Sequence, residues 1–125
     1  MSKTKVLLTG ACGLLGRHIF AEMKNDYDLT SLDVAGPDGV DFICADIADL
    51  TAMREAVRGH EIVIHVAARA NVWSGTPEEI MAVNVTGVWN VFRAAELEGV
   101  RRVVSLFGRG STPASPGAMR AQPAE

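Results

Sequence analysis

Eight consecutive residues, Thr9-Gly10-Ala11-Cys12-Gly13-Leu14-Leu15-Gly16, constrain this chain more than any other stretch. Ahead of them, residues 5–9 (Lys-Val-Leu-Leu-Thr) are a short apolar run without helical period, the pattern of a strand buried on both faces. Behind them, Leu15, Ile19 and Met23 recur every fourth residue with Phe20 alongside, which predicts a helix over residues 14–25. A glycine-rich turn at that junction leaves backbone bare beside helix-start N–H groups, whose partial positive charge suits an anion. Gly10 permits the tight turn, Gly13 the approach of a pyrophosphate, and Gly16 close packing of helix on strand. The alternative is three glycines in an ordinary turn; the flanking strand and helix favour nucleotide binding.

The rest of the chain continues the alternation. Residues 28–33 (Asp-Leu-Thr-Ser-Leu-Asp) predict a second strand, ended by Gly36-Pro37 and Gly39, and residues 40–46 a third. Ala52, Met53, Ala56 and Val57 form a helical face closed at Gly59. Residues 61–68 are the most strand-like in the chain, and a loop over residues 69–75 leads to Thr76-Pro77-Glu78-Glu79. There Thr76 can cap, Pro77 suits the first turn, and Glu79 stands three residues past the cap, as a capping box requires. The helix so begun runs to about Glu98 with Ile80, Val83, Gly87, Val91 and Ala94 on one side, and residues 102–107 start a fifth strand. Apolar strands joined by crossover-length connections predict a parallel sheet with helices on both faces.

Charge and composition exclude other classes. A net charge of −3 spread along 125 residues offers no basic footprint for nucleic acid, and Arg101-Arg102 reads as a solvated strand start. No apolar run approaches the roughly 18 residues needed to cross a bilayer, and the start lacks signal-peptide features, so no membrane partner and a cytoplasmic location are expected. Cys12 and Cys44 sit in no Cys-x-x-Cys and read as free thiols, while His18, His60 and His65 fall at no metal-ligand spacing.

The Gly-x-x-Gly-x-x-Gly spacing, together with Thr9, resembles the extended short-chain dehydrogenase/reductase superfamily, specifically its NAD-dependent epimerase/dehydratase group. The likeness extends over roughly residues 3–105. It implies a Rossmann-type, doubly wound α/β domain of three layers, with about five parallel strands ordered 3-2-1-4-5 and incomplete on its C-terminal side. In the family's terms Gly10, Cys12, Gly13, Leu14, Leu15 and Gly16 hold the cofactor's pyrophosphate. Asp33, with Val34 after it, ends the second strand, where a carboxylate accepts from the adenosine ribose and repels a 2′-phosphate. No Lys or Arg follows, so NAD is favoured over NADP.

Asp46-Ile47 is similar to an Asp-hydrophobic pair that reaches the adenine; alone, Asp46 reads as a turn or cap residue. Val66-Ala67-Ala68 resembles a strand end whose small side chains let the cofactor lie across the sheet, with His65 packed beneath. Asn84-Val85-Thr86-Gly87 is similar to an Asn-Val-x-Gly element whose Asn braces the strand under the active site. A buried mid-helix Asn needs a partner in any case, and Gly87, costing about 1 kcal/mol in a helix, points to close packing. Trp73 and Trp89 read as core or surface packing, with a substrate or subunit border as the sharper alternative.

The likeness fails at the chemistry. The family uses a Tyr-x-x-x-Lys pair as acid/base and an upstream Ser or Thr, whereas the single tyrosine here is Tyr27 and no lysine follows Lys24. The hydroxyl positions fall on Phe107 and Gly108, and Ser105 comes too early, so no catalytic residue is assigned. Residues 108–125 hold three Gly, three Pro, four Ala and two Ser, a composition expected to form a disordered or aberrant tail after a cofactor domain at residues 1–107. The expectation is the NAD-binding N-terminal half of an enzyme acting on a sugar or sugar nucleotide, truncated or frameshifted and inactive alone. Alternatives are an NAD-sensing module or a half-enzyme completed by another chain. The resemblance also implies a homodimer contact through the 77–98 helix, weakened by the absence of its partner helix.

Overall fold

The computed structural model describes residues 2–37, 39, 41–69 and 74–106. Five parallel strands form one sheet in the order β3-β2-β1-β4-β5, as expected. They are β1 (Lys5–Thr9), β2 (Asp28–Asp33), β3 (Phe42–Cys44), β4 (Ile62–His65) and β5 (Arg102–Ser105). The helices are α1 (Leu14–Met23), α2 (Leu50–Val57), α3 (Pro77–Met81) and α4 (Val88–Leu97).

Central β1 shows why its sequence lacks alternation. Leu7 faces a cluster with Met53, Val57, Val63, Val91 and Ala94 from β4, α2 and α4, while Val6 and Leu8 face Leu29, Ile64 and the α1 residues Ile19 and Met23. Both faces are buried at Val6, Leu7 and Leu8, so these consecutive positions are all apolar. The register Lys5↔Asp28 through Thr9↔Leu32 on one side and Val6↔Ile62 through Thr9↔His65 on the other brings the C-terminal ends of β1, β2 and β4 level.

Several boundaries differ from the sequence reading. β4 ends at His65 rather than residue 68: after Val66 N–H donates to Thr9 O at 3.3 Å the chain leaves the ladder. β3 spans three residues, and residue 40 lies outside the described residues. The α1 stripe is displaced, because Gly16 and not Leu15 meets the sheet and Leu15 is 51% exposed. The readings that fall on Trp73, on Phe107 and Gly108, and on the 108–125 tail lie outside the described residues.

The long helix begins with the expected capping box: Glu79 N–H donates to Thr76 Oγ1, and Thr76 N–H to Glu79 Oε2, both at 3.2 Å. Between α3 and α4 it widens into a π-helical turn, Ala82–Gly87. There Gly87 rests on Ile47, whose side chain a Cβ at residue 87 would strike. Gly99 ends the helix at φ 74°. At its C-terminal end Glu98 accepts from Arg54 Nε and Arg58 Nε, each at 2.8 Å, fastening α4 to α2.

Candidate functional site

The glycine turn joins three elements. Gly10, at φ 72°, takes a left-handed conformation that suits glycine, and a Cβ there would lie 2.6 Å from Ala67 N. Its own N–H and that of Ala11 donate to Leu32 O at 2.9 and 3.3 Å, tying the turn to β2. Gly16 lies under the turn so closely that a Cβ would collide with Gly10 O. Packing within the protein therefore demands two of the three glycines.

Gly13 differs. Its φ of −73° is open to any residue, and a Cβ there would meet only Gly10 O, at an ordinary 3.4 Å. Among the described residues no contact requires glycine at this position. Gly13 precedes the first turn of α1, which has neither a side-chain cap nor an acidic residue, so its N–H groups have no carboxylate before them.

Beside this turn lies a cleft of ≈ 430 Å³ at the C-terminal ends of β1, β2 and β4. Gly10, Cys12 and Gly13 form one wall, Asp33, Val34, Asp46 and Ile47 a second, and Val66, Ala67 and Ala68 a third. Four residues assigned from sequence do not line it: Leu14, Leu15, Gly16 and Asn84. Leu14 and Leu15 are exposed helix-start side chains, and Gly16 is buried beneath Gly10. Sequence reading missed Leu32, Ala45, Arg69 and Val83, which complete the lining. They are apolar or loop residues with no motif of their own, visible only once the strand ends are aligned.

The polar groups have defined partners. Asp33 Oδ2 accepts from Cys12 N–H at 2.9 Å and Oδ1 from Val34 N–H at 2.8 Å, which fixes the carboxylate at the mouth of the turn. Asp46 Oδ1 accepts from Ala48 N–H at 2.9 Å, so the turn role holds, with the side chain still exposed at the cleft. Ile47, expected to pack a ring, is turned into the core against Gly87, and its carbonyl accepts from Asn90 Nδ2 at 2.9 Å. Asn84 reaches the cleft indirectly: Oδ1 accepts from Arg69 N–H at 2.8 Å and Nδ2 donates to Arg69 O at 3.0 Å. That pair of hydrogen bonds braces the backbone just past β4. Beneath the wall, His65 is 2% exposed, and burial depresses its pKa to about 4.

A larger hollow, ≈ 860 Å³, lies near Lys5, Tyr27, Asp28 and Phe42 at the opposite ends of the strands. Open parallel sheets bind ligands outside the carboxyl ends of their strands, which selects the smaller cleft. Tyr27 is thereby placed far from it along the sheet.

Residues 6–120 match the model of the NAD dependent epimerase/dehydratase family. The chain belongs to that family. Among the family's curated members, L-arabinose 1-dehydrogenase (NAD(P)(+)) of Haloferax volcanii is 33% identical over 103 residues, covering 80% of this chain and 39% of that protein. A variant of uronate dehydrogenase from Agrobacterium tumefaciens, complexed with NAD, superposes with TM-score 0.73 at 25% identity over 82% of this chain and 40% of that one. MoeE5 in complex with UDP-glucuronic acid and NAD gives TM-score 0.71 at 29% identity, over 81% and 36% respectively. The chain thus spans between 36% and 40% of the length of these three relatives. The Rossmann-type fold is common to the chain and these dehydrogenases.

Proposed function

We propose that the cleft binds NAD(H), and that the chain is the nucleotide-holding part of a dehydrogenase or epimerase acting on a sugar or sugar nucleotide. Gly13 carries the reading: a glycine that no described contact requires is explained by a phosphate pressed against its backbone. The pyrophosphate then meets Gly13 and the first N–H groups of α1 at Leu14 and Leu15, with Gly10 and Gly16 shaping the turn. Asp33, with Val34, receives the adenosine ribose hydroxyls, and its fixed negative charge disfavours a 2′-phosphate, which makes NAD the preferred dinucleotide. Asp46 and the Ile47 backbone border the adenine. Val66, Ala67 and Ala68 leave room for the cofactor to cross the sheet, and Asn84 holds that wall through Arg69. NAD supplies a hydride acceptor for a carbinol carbon.

The 125 residues by themselves bind without turnover on this reading. Tyr27, the single tyrosine, stands at the far strand ends, and no lysine follows Lys24 to complete an acid/base pair. The long helix displays Met81, Val85 and Trp89, the last 66% exposed, a stripe that supports a homodimer contact through that helix. Amide chemical-shift mapping with NAD tests the site. Perturbations confined to residues 10–16, 33–34, 46–47 and 66–69 are expected; perturbations around Lys5, Tyr27 and Phe42 instead would place the ligand in the other hollow and overturn it.

A further inference from the structure

One helix reaches two walls of the cleft. Asn84, inside the π-helical turn Ala82–Gly87, pairs with the backbone of Arg69 past β4. Further along, in α4, Asn90 donates from Nδ2 to Ile47 O at 2.9 Å, in the turn past β3. Between the two, Gly87 meets Ile47 so closely that a Cβ would strike its side chain. Ile47 is therefore held at its side chain and at its carbonyl by residues of the same helix.

Asn90 is 5% exposed and shares the buried side of α4 with Val91, Ala94 and Ala95. A buried amide loses free energy unless its hydrogen bonds are made, so an apolar residue would be the simpler occupant of that side. The bond that Asn90 does make goes to a cleft wall, at the residue after Asp46. Among the described residues Ile47 O takes no backbone N–H, which leaves the amide to fix it. The rest of that wall is knit to the same turn. Asp46 accepts from Ala48 N–H through Oδ1 at 2.9 Å and from Asp49 N–H through its carbonyl at 3.0 Å, and Ala45 N–H donates to Asp33 O at 3.0 Å.

We infer that Asn90 is a positioning residue for the adenine side of the cleft: its amide sets where Asp46 and Ile47 stand, as Asn84 sets where Arg69 stands. The inference rests on the reading that the cleft holds a dinucleotide. Asn90 then acts on contacts made by the adenosine half of the ligand, which adenosine monophosphate shares with NAD. A residue that served folding alone would leave the affinity of a folded chain for either nucleotide unchanged.

Titration of the folded 125-residue chain and of Asn90→Leu with adenosine monophosphate and, separately, NAD tests this. Asn90→Leu keeps the volume and removes the donor. It should weaken both nucleotides by the same factor, roughly 5-fold for one neutral hydrogen bond, and quicken amide exchange at Ala48 and Asp49 in the ligand-free chain. Asn90→Ser, whose side chain is one bond shorter, carries the same expectation and replaces Asn90→Leu if that variant does not fold. Adenosine monophosphate bound as tightly by the folded variant as by the unsubstituted chain overturns the inference, whether or not NAD is weakened. An unsubstituted, folded chain that binds neither nucleotide overturns the dinucleotide reading and the inference with it.

Discussion

Asp33 Oδ2 accepts the backbone N–H of Cys12 at 2.9 Å, so the acid at the end of β2 is anchored on the glycine turn at the end of β1. The carboxylate holds the turn in place and lines the cleft, and in the proposed binding mode it would also receive the ribose. Asp33→Ala removes both roles. A charge-assisted hydrogen bond contributes about 1.5–3 kcal/mol, which predicts NAD affinity roughly 10-fold or more weaker. Affinity for NADP should fall less, narrowing the preference between the two in parallel titrations.

Gly13 and Gly16 should separate binding from folding. At residue 16 a side chain collides with the Gly10 carbonyl, so Gly16→Ala is predicted to destabilise by about 1–3 kcal/mol, lowering the melting temperature by several degrees. At residue 13 an added Cβ meets Gly10 O at an ordinary 3.4 Å, so Gly13→Ala should lose only about 1 kcal/mol of stability while binding NAD much more weakly. Thermal melts and titrations on the two variants check both halves.

Asn84 is predicted to act through Arg69. Asn84→Ala removes the two hydrogen bonds to the exposed Arg69 N–H and C=O, which water can then serve, a net cost of about 0.5–1.5 kcal/mol for each bond. Amide exchange at residues 67–69 should quicken more than in the β1 core, and NAD should bind more weakly. An unchanged exchange pattern would remove Asn84 from the description of the wall.

His65 sets an acid limit on stability. Its folded pKa, about 4, lies below the ordinary 6.5 because burial disfavours the charged ring. The unfolded chain therefore takes up the proton first, and stability falls as pH drops below about 6.5 and levels off below about 4. The difference in pKa corresponds to about 3 kcal/mol. Urea unfolding from pH 7 to pH 4 reads the slope, which should shrink in His65→Gln.

Much of this architecture is legible in the residues themselves. The bounds of β2 and the capping box at Thr76 and Glu79 follow from local chemistry that tertiary packing leaves intact. The three glycines are readable as a motif with a reason apiece, and the fold adds that Gly10 is tight against Ala67 and Gly16 against Gly10, while a Cβ at Gly13 meets Gly10 O at an ordinary 3.4 Å. β4 reads three residues too long because Val66, Ala67 and Ala68 are apolar as the wall of a cleft, and composition does not separate a wall from a ladder. The π-helical turn has no signature in its own residues, since it falls where Gly87 meets Ile47, 40 positions away in sequence. Ile47 itself was assigned to a ligand from its neighbour Asp46; the contact that claims its side chain is long-range and invisible locally.

Calorimetric titration of the folded 125-residue chain with NAD and, separately, NADP tests the central claim most directly. The account predicts one NAD site per chain and clearly weaker binding of NADP, with the NAD heat sharply reduced by Gly13→Ala in a protein that stays folded. No heat with NAD from a chain shown to be folded, or NADP binding as tight as NAD, would contradict it.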